Sequence, residues 1–172
     1  MSYPTPTPSS PAVAKAALEA DIAKLLGPSS KFAGKWDRVG PLAMTVSFTG
    51  RHKDNATEET YVALLTFTHY PDWPPLVQFV NPETTAYTYP QDISHLPWLD
   101  GNPEIHVHHS YCNQPGDQLV CCSANLKFYL IRHGIDSADK IWNKSRHNLA
   151  WTLNTIQRAL TGPHYRGRQR AG

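Results

Sequence analysis

The stretch that most constrains this chain is the turn His69-Tyr70-Pro71-Asp72-Trp73-Pro74-Pro75, set between the apolar runs Tyr61–Thr68 and Leu76–Val80. Pro71, Pro74 and Pro75 fix φ and remove backbone donors, so neither a strand nor a helix continues through them. The chain must reverse here, and the two runs become neighbouring strands. Tyr61-Val62-Ala63-Leu64-Leu65 is apolar at successive positions, the pattern expected of a strand covered on both faces. Upstream, Leu42 to Thr49 alternates large apolar with small or polar residues, which predicts a half-buried antiparallel strand. The polar stretch Gly50–Thr60, with Asp54-Asn55 at its centre, connects the two as a hairpin. At least three strands therefore follow one another in a meander, joined locally.

Helices flank this sheet in the sequence. Residues 1–10, with Pro4, Pro6 and Pro8 among Ser and Thr, read as a flexible tail. Ser10-Pro11 then starts an Ala-rich amphipathic helix with Leu18, Ile22, Leu25 and Leu26 on one face, and Gly27-Pro28 stops it. Near the other end, Leu149, Leu153, Ile156 and Leu160 mark one face of a second helix that Gly162-Pro163 ends. Asp136-Ser137 is a candidate cap for a short helix reaching Trp142. Leu126 to Ile131 fits a buried strand or a helix. Trp36 is placed close to the first strand, and Trp142 and Trp151 on a helical face of the core. The predicted organisation is an α/β chain of the α+β kind: a tail over 1–10, one domain over 11–163 and a disordered basic tail over 164–172.

Between Asn81 and Gln118 lies a long segment rich in Pro, Tyr and His, with Ile105–His109 as a candidate short strand. Connections of this length inside a compact domain tend to carry function. It leads to Gly116-Asp117-Gln118-Leu119-Val120-Cys121-Cys122-Ser123. Leu119 and Val120 would anchor the loop and hold the next side chain near the surface, where a partly exposed thiol serves as a nucleophile. The plain alternative is that Cys121 and Cys122 are small core residues, the commonest fate of free cysteine. Another reading takes His106, His108, His109 and Cys112, with Cys121 and Cys122, as zinc ligands.

Three cysteines, an odd number with two adjacent, do not make a disulfide framework and suit a reducing compartment. The 16 Lys and Arg nearly cancel the 14 Asp and Glu, so a net charge of +2 gives no reason to expect a nucleic-acid partner. No apolar run approaches the roughly 20 residues that span a bilayer, and no basic region followed by an apolar one opens the chain. A cytoplasmic protein without a membrane partner is the expectation.

The order of apolar strand, Tyr70-Pro71-x-x-Pro74-Pro75, Val77-x-Phe79 strand, long loop and Val120-Cys121-Cys122, followed by an amphipathic helix, resembles the core of the ubiquitin-conjugating enzymes. The resemblance extends loosely over residues 36–160. It implies the fold of that family, with an N-terminal helix, an antiparallel meander, an active-site loop and a C-terminal helix. Cys121 would then carry a ubiquitin-like modifier as a thioester, receiving it from an activating enzyme and passing it to an amine of a protein substrate, with no cofactor. Cys122 is the alternative carrier if the register is shifted by one. The family's His-Pro-Asn tripeptide is missing; His109 and Asn113 are the candidates for its oxyanion role, and His108 also lies near the expected place. The short C-terminus and the His-rich loop resemble the conjugating proteins that bacteria encode beside an activating enzyme, a modifier and a deconjugating metalloprotease, in systems of defence against phage. Two rivals remain: a non-catalytic binding module of the same fold, and a zinc protein built on the His/Cys loop.

Overall fold

The computed structural model describes residues 3–27, 30, 32–54, 57–111, 116–134 and 138–171. In chain order the elements are α1 (Pro11–Leu25), β1 (Trp36–Gly40), β2 (Ala43–Arg51), β3 (Glu58–Thr66), β4 (Leu76–Val80), β5 (Pro97–Leu99), β6 (His106–His108), β7 (Leu119–Cys121), α2 (Leu126–Leu130), α3 (Leu149–Thr161) and β8 (Tyr165–Arg168). The first four strands form one antiparallel sheet in the order β1-β2-β3-β4, the meander that the sequence predicts, lengthened by Trp36's own strand. Met44, Val46 and Phe48 face the core while Thr45, Ser47 and Thr49 are half-buried, as the alternation in β2 requires. In β3 the residues Tyr61, Ala63 and Leu65 are buried, but Val62 and Leu64 are only half-buried. The strand is thus fully covered on one face rather than on both.

Both long helices lie on the buried side. α3 packs against β2 and α1 packs against α3. Leu149, Leu153, Ile156 and Leu160 are buried, matching the predicted stripe. Asn148 accepts a hydrogen bond from the Trp151 N–H and Gly162 caps the other end. In α1 the Ser10 hydroxyl accepts from the Val13 N–H at 3.3 Å, with Pro11 in the first turn. Leu18, Ile22 and Leu25 are buried as expected, whereas Leu26 caps the helix and is 70% exposed. Asp21 takes an unexpected place on the buried face. Its carboxylate accepts hydrogen bonds from the Tyr70 hydroxyl and, at 3.1 Å, from the Leu149 N–H.

The proline turn is the hub that joins these layers. Tyr70 reaches α1 through Asp21, the Pro71 carbonyl accepts from Trp142 Nε1 at 2.9 Å, and the Pro75 carbonyl accepts from the Leu126 N–H at 3.0 Å. Trp73 packs on Tyr129 with ring centroids 5.0 Å apart. A rigid turn therefore positions α1, α2 and the approach to α3 at once. Leu126–Leu130 resolves as the helix of the two readings, capped by Asn125, and Ile105–His109 resolves as the short strand β6. A 3-10 turn covers Ala138–Lys140; the candidate caps Asp136 and Ser137 lie outside the described residues.

Both expected tails need correction. Ser9 N–H donates to the Thr68 carbonyl at 3.0 Å, Pro6 is buried, and Tyr3 sits edge-on to Tyr129 with centroids 5.2 Å apart. Residues 3–10 are pinned to the sheet's end by these groups. At the other terminus, β8 pairs with β5 and Tyr165 is buried, with its hydroxyl 2.7 Å from that of Tyr61. The domain therefore runs past residue 163. Gly50 makes room for this strand, because a Cβ there would lie 2.5 Å from the Tyr165 ring.

Candidate functional site

β4 is the last strand of the sheet, so the backbone groups of Val77 and Phe79 on its outer edge need partners. They find them in two side-chain amides. Gln118 accepts from the Phe79 N–H at 2.9 Å and donates to the Phe79 carbonyl at 2.6 Å, the exchange a neighbouring strand would make. Asn125 accepts from the Val77 N–H at 2.9 Å and donates to the Val120 carbonyl at 2.7 Å. Both amides are buried. Between these two anchors lie residues 119–124, which carry Cys121 and Cys122. Lys127 tightens the base of the loop by pairing with Asp117 and donating to the Gln118 carbonyl at 2.9 Å.

Cys121 ends β7, and its partner across the two-stranded ladder is His106. Both side chains line a cleft of about 300 Å³, together with Cys122, His133, His147 and Trp151. Cys121 is 7% exposed, less than the partly exposed thiol expected from sequence. Burial pushes its thiol above the ordinary value, and it pushes Cys122 up to about 12. At neutral pH both are thiols rather than thiolates, and Cys121 is the less burdened of the pair. Across the cleft, His147 stacks on Trp151 with centroids 4.0 Å apart, and burial lowers the His147 pKa. Trp151 is half-buried in that wall, whereas Trp142 is buried ahead of α3 and holds the proline turn.

The structure separates the sequence candidates. His109 lies beyond the end of β6, stacks on Tyr89 with centroids 4.9 Å apart, and has its carbonyl bound by the Tyr87 hydroxyl at 2.7 Å. Continuing the register places it about 10 Å along the ladder from Cys121. His108 stands opposite Leu119, where burial, followed by the nearby His106, His109 and His133, lowers its pKa. Asn113 and Cys112 lie outside the described residues. Among the described residues no group of three or more His, Cys, Asp or Glu side chains is arranged to hold a metal ion.

Three contributors escaped the sequence reading. His106, first weighed only as a zinc ligand, is the imidazole beside Cys121. Gln118 and Asn125 are the loop's anchors. The Asn125 role had a visible signal, since an Asn directly before Leu126 is an N-cap signature, whereas nothing local reveals that Gln118 substitutes for a strand. Among the described residues no helix is long and apolar enough to cross a membrane. No protein-family profile, curated protein or solved structure matches this chain.

Proposed function

We propose that this protein is a thioester carrier of the ubiquitin-conjugating type, with Cys121 as the acceptor. The observation that carries the reading is the placement of Cys121 at the wall of a cleft, on a loop clamped to the meander's last strand by Gln118 and Asn125. A carrier needs its sulfur fixed relative to two protein partners in succession, and a loop tied by buried amides supplies that. In the first step the Cys121 Sγ attacks the thioester carbonyl presented by an activating enzyme. The new S–C bond forms as the old one breaks, and the thiol proton passes through His106 to the departing sulfur. In the second step a substrate amine attacks the Cys121 thioester, the N–C bond replaces the S–C bond, and the proton shed by nitrogen returns to Cys121. Because its pKa is raised, Cys121 gives up its proton during attack rather than beforehand, which gives the neighbouring imidazole a task.

A second reading rests on the same burial: at 7% exposure, Cys121 also suits a non-catalytic module of this fold. Charging with an activating enzyme, a ubiquitin-like modifier and ATP separates the two on a non-reducing gel. The carrier reading expects a thiol-labile adduct that Cys121→Ser abolishes or converts to a thiol-resistant ester, while Cys122→Ser retains it. Loss only in Cys122→Ser keeps the activity and moves the acceptor by one residue. No adduct from a demonstrably charged activating enzyme favours the binding module. A role in bacterial defence against phage belongs to the same proposal and follows only from the resemblance.

A further inference from the structure

A second concavity lies away from the cysteines, on the small sheet formed by β5 and β8. It encloses about 620 Å³, and His52, Glu59, Trp98, Arg166, Arg168 and Arg170 are among its lining residues. The three arginines do not have the same duty. Arg168 is committed to the fold: it donates to the carbonyls of Ser94 at 2.7 Å and Thr60 at 2.8 Å, faces Glu59 at 3.2 Å, and covers the Tyr61 ring at 4.8 Å. Glu59 is likewise occupied, accepting from Tyr61 and Tyr165 as well as pairing with Arg168. Its charge is offset within the floor.

Arg166 and Arg170 remain on the surface. Among the described residues Arg166 has a 3.2 Å hydrogen bond to the Pro163 carbonyl and a 3.7 Å approach to Asp100, with both charged side chains about half in water. Arg170 is exposed. They are four residues apart in the chain, and both line the concavity. Trp98 lies on the neighbouring strand. Pro97 and Leu99 on either side of it are buried, so Trp98 points outward, and it is 51% exposed. Tryptophan and arginine are among the residue types that most often carry binding energy at protein interfaces.

We infer that this groove is a docking site for a short acidic segment of a partner protein, whose carboxylates reach Arg166 and Arg170 and whose apolar side chain covers Trp98. Two guanidinium groups at separated points suit carboxylates, which they hold in a fork geometry. A nucleic-acid strand fits less well, because the chain's overall charge is only +2 and two separated guanidinium groups do not track an unbroken row of phosphates. The platform is firm. Gln169 donates its N–H to the Leu96 carbonyl at 2.9 Å, while its side-chain amide donates to Pro97 at 3.0 Å and to Val107 of β6 at 2.7 Å. Gly167, at φ +96°, leaves no room for a side chain, since a Cβ there would lie 3.0 Å from His52 Nε2. The site is independent of the thioester reading.

The test is fluorescence anisotropy of the full chain with a labelled nonapeptide of glutamates around a central phenylalanine. Saturable binding is expected, weakened by raising NaCl from about 0.05 to about 0.3 M. The Arg166→Glu/Arg170→Glu variant should lose about ten-fold or more in affinity and Trp98→Ala about five-fold. The Lys15→Glu/Lys35→Glu variant, which changes charge equally on exposed residues elsewhere, should stay within about two-fold. Arg170→Glu alone provides a milder version should the double variant melt early. Absence of saturation overturns the proposal, as does an equal loss in the lysine variant. Tighter binding of an oligothymidylate with the same arginine dependence would reassign the groove to nucleic acid and overturn it too.

Discussion

Cys121 and Cys122 both line the cleft, but Cys122 is the more deeply buried and its thiol is pushed up further. Both thiols are raised by burial, so at pH 7.5 each carries less thiolate than a free cysteine would. Iodoacetamide should therefore label native Cys121 slowly, with a rate that keeps climbing as pH passes 9, and Cys122 should lag behind it. Peptide mapping after timed labelling checks this, and fast labelling at neutral pH would contradict it. Gln118 and Asn125 hold the pair in place. Asn125→Ala leaves the Val77 N–H and the Val120 carbonyl without their partners and should cost on the order of 2–4 kcal/mol in urea unfolding. Leu119 and Val120 enter the core as their apolar character requires, but Cys121, expected near the surface, is buried beside them. The imidazole next to Cys121 was not legible in the sequence, because His106, His108 and His109 are equivalent until the β6–β7 register chooses among them.

Elements with strong internal periodicity were readable from the residues alone. α1, α3 and β2 each carry an apolar stripe, so most of their burial needs no knowledge of the rest of the chain, although Leu26 at the end of α1 is exposed and Asp21 buried. β8 has no such stripe. Its sequence, Tyr165-Arg166-Gly167-Arg168, looks like a solvated tail, and only Tyr61, Glu59 and the gap over Gly50 make it a strand. α2 is five residues long, too short for period to decide it. Two outcomes follow for β8. Deleting residues 164–172 removes buried Tyr165 and the Arg168 bridge and should cost on the order of 3–5 kcal/mol, visible as a lowered melting temperature. Gly50→Ala, which drives a methyl group against the Tyr165 ring, should cost on the order of 1–3 kcal/mol with the chain still folded.

Among the described residues the molecule is a four-strand sheet with helices packed on it and two further two-stranded sheets, β5–β8 and β6–β7. Its stability should depend on pH through histidines spread over these parts. Burial lowers the pKa of His69, His108 and His147 from the ordinary 6.5. Each prefers to be neutral when folded, so below about 6.5 the unfolded chain binds more protons than the folded one. The stabilisation is complete above that value and is lost as pH falls through the folded pKa values. Urea midpoints at pH 7.5, 6.5 and 5.5 should decrease in that order, and a constant midpoint would refute the linkage.

The use of two amide side chains in place of a fifth strand also has a kinetic signature. A backbone ladder opens only with its whole strand, but the outer-edge amides of Val77 and Phe79 are closed by one residue each from the loop that carries the cysteines. Their deuterium uptake should consequently run ahead of that of Leu76 and Gln78, whose amides face β3. Two hydrogens inside the sheet thus act as a clock for the cysteine loop, and any protein that grips that loop should slow them without touching β4.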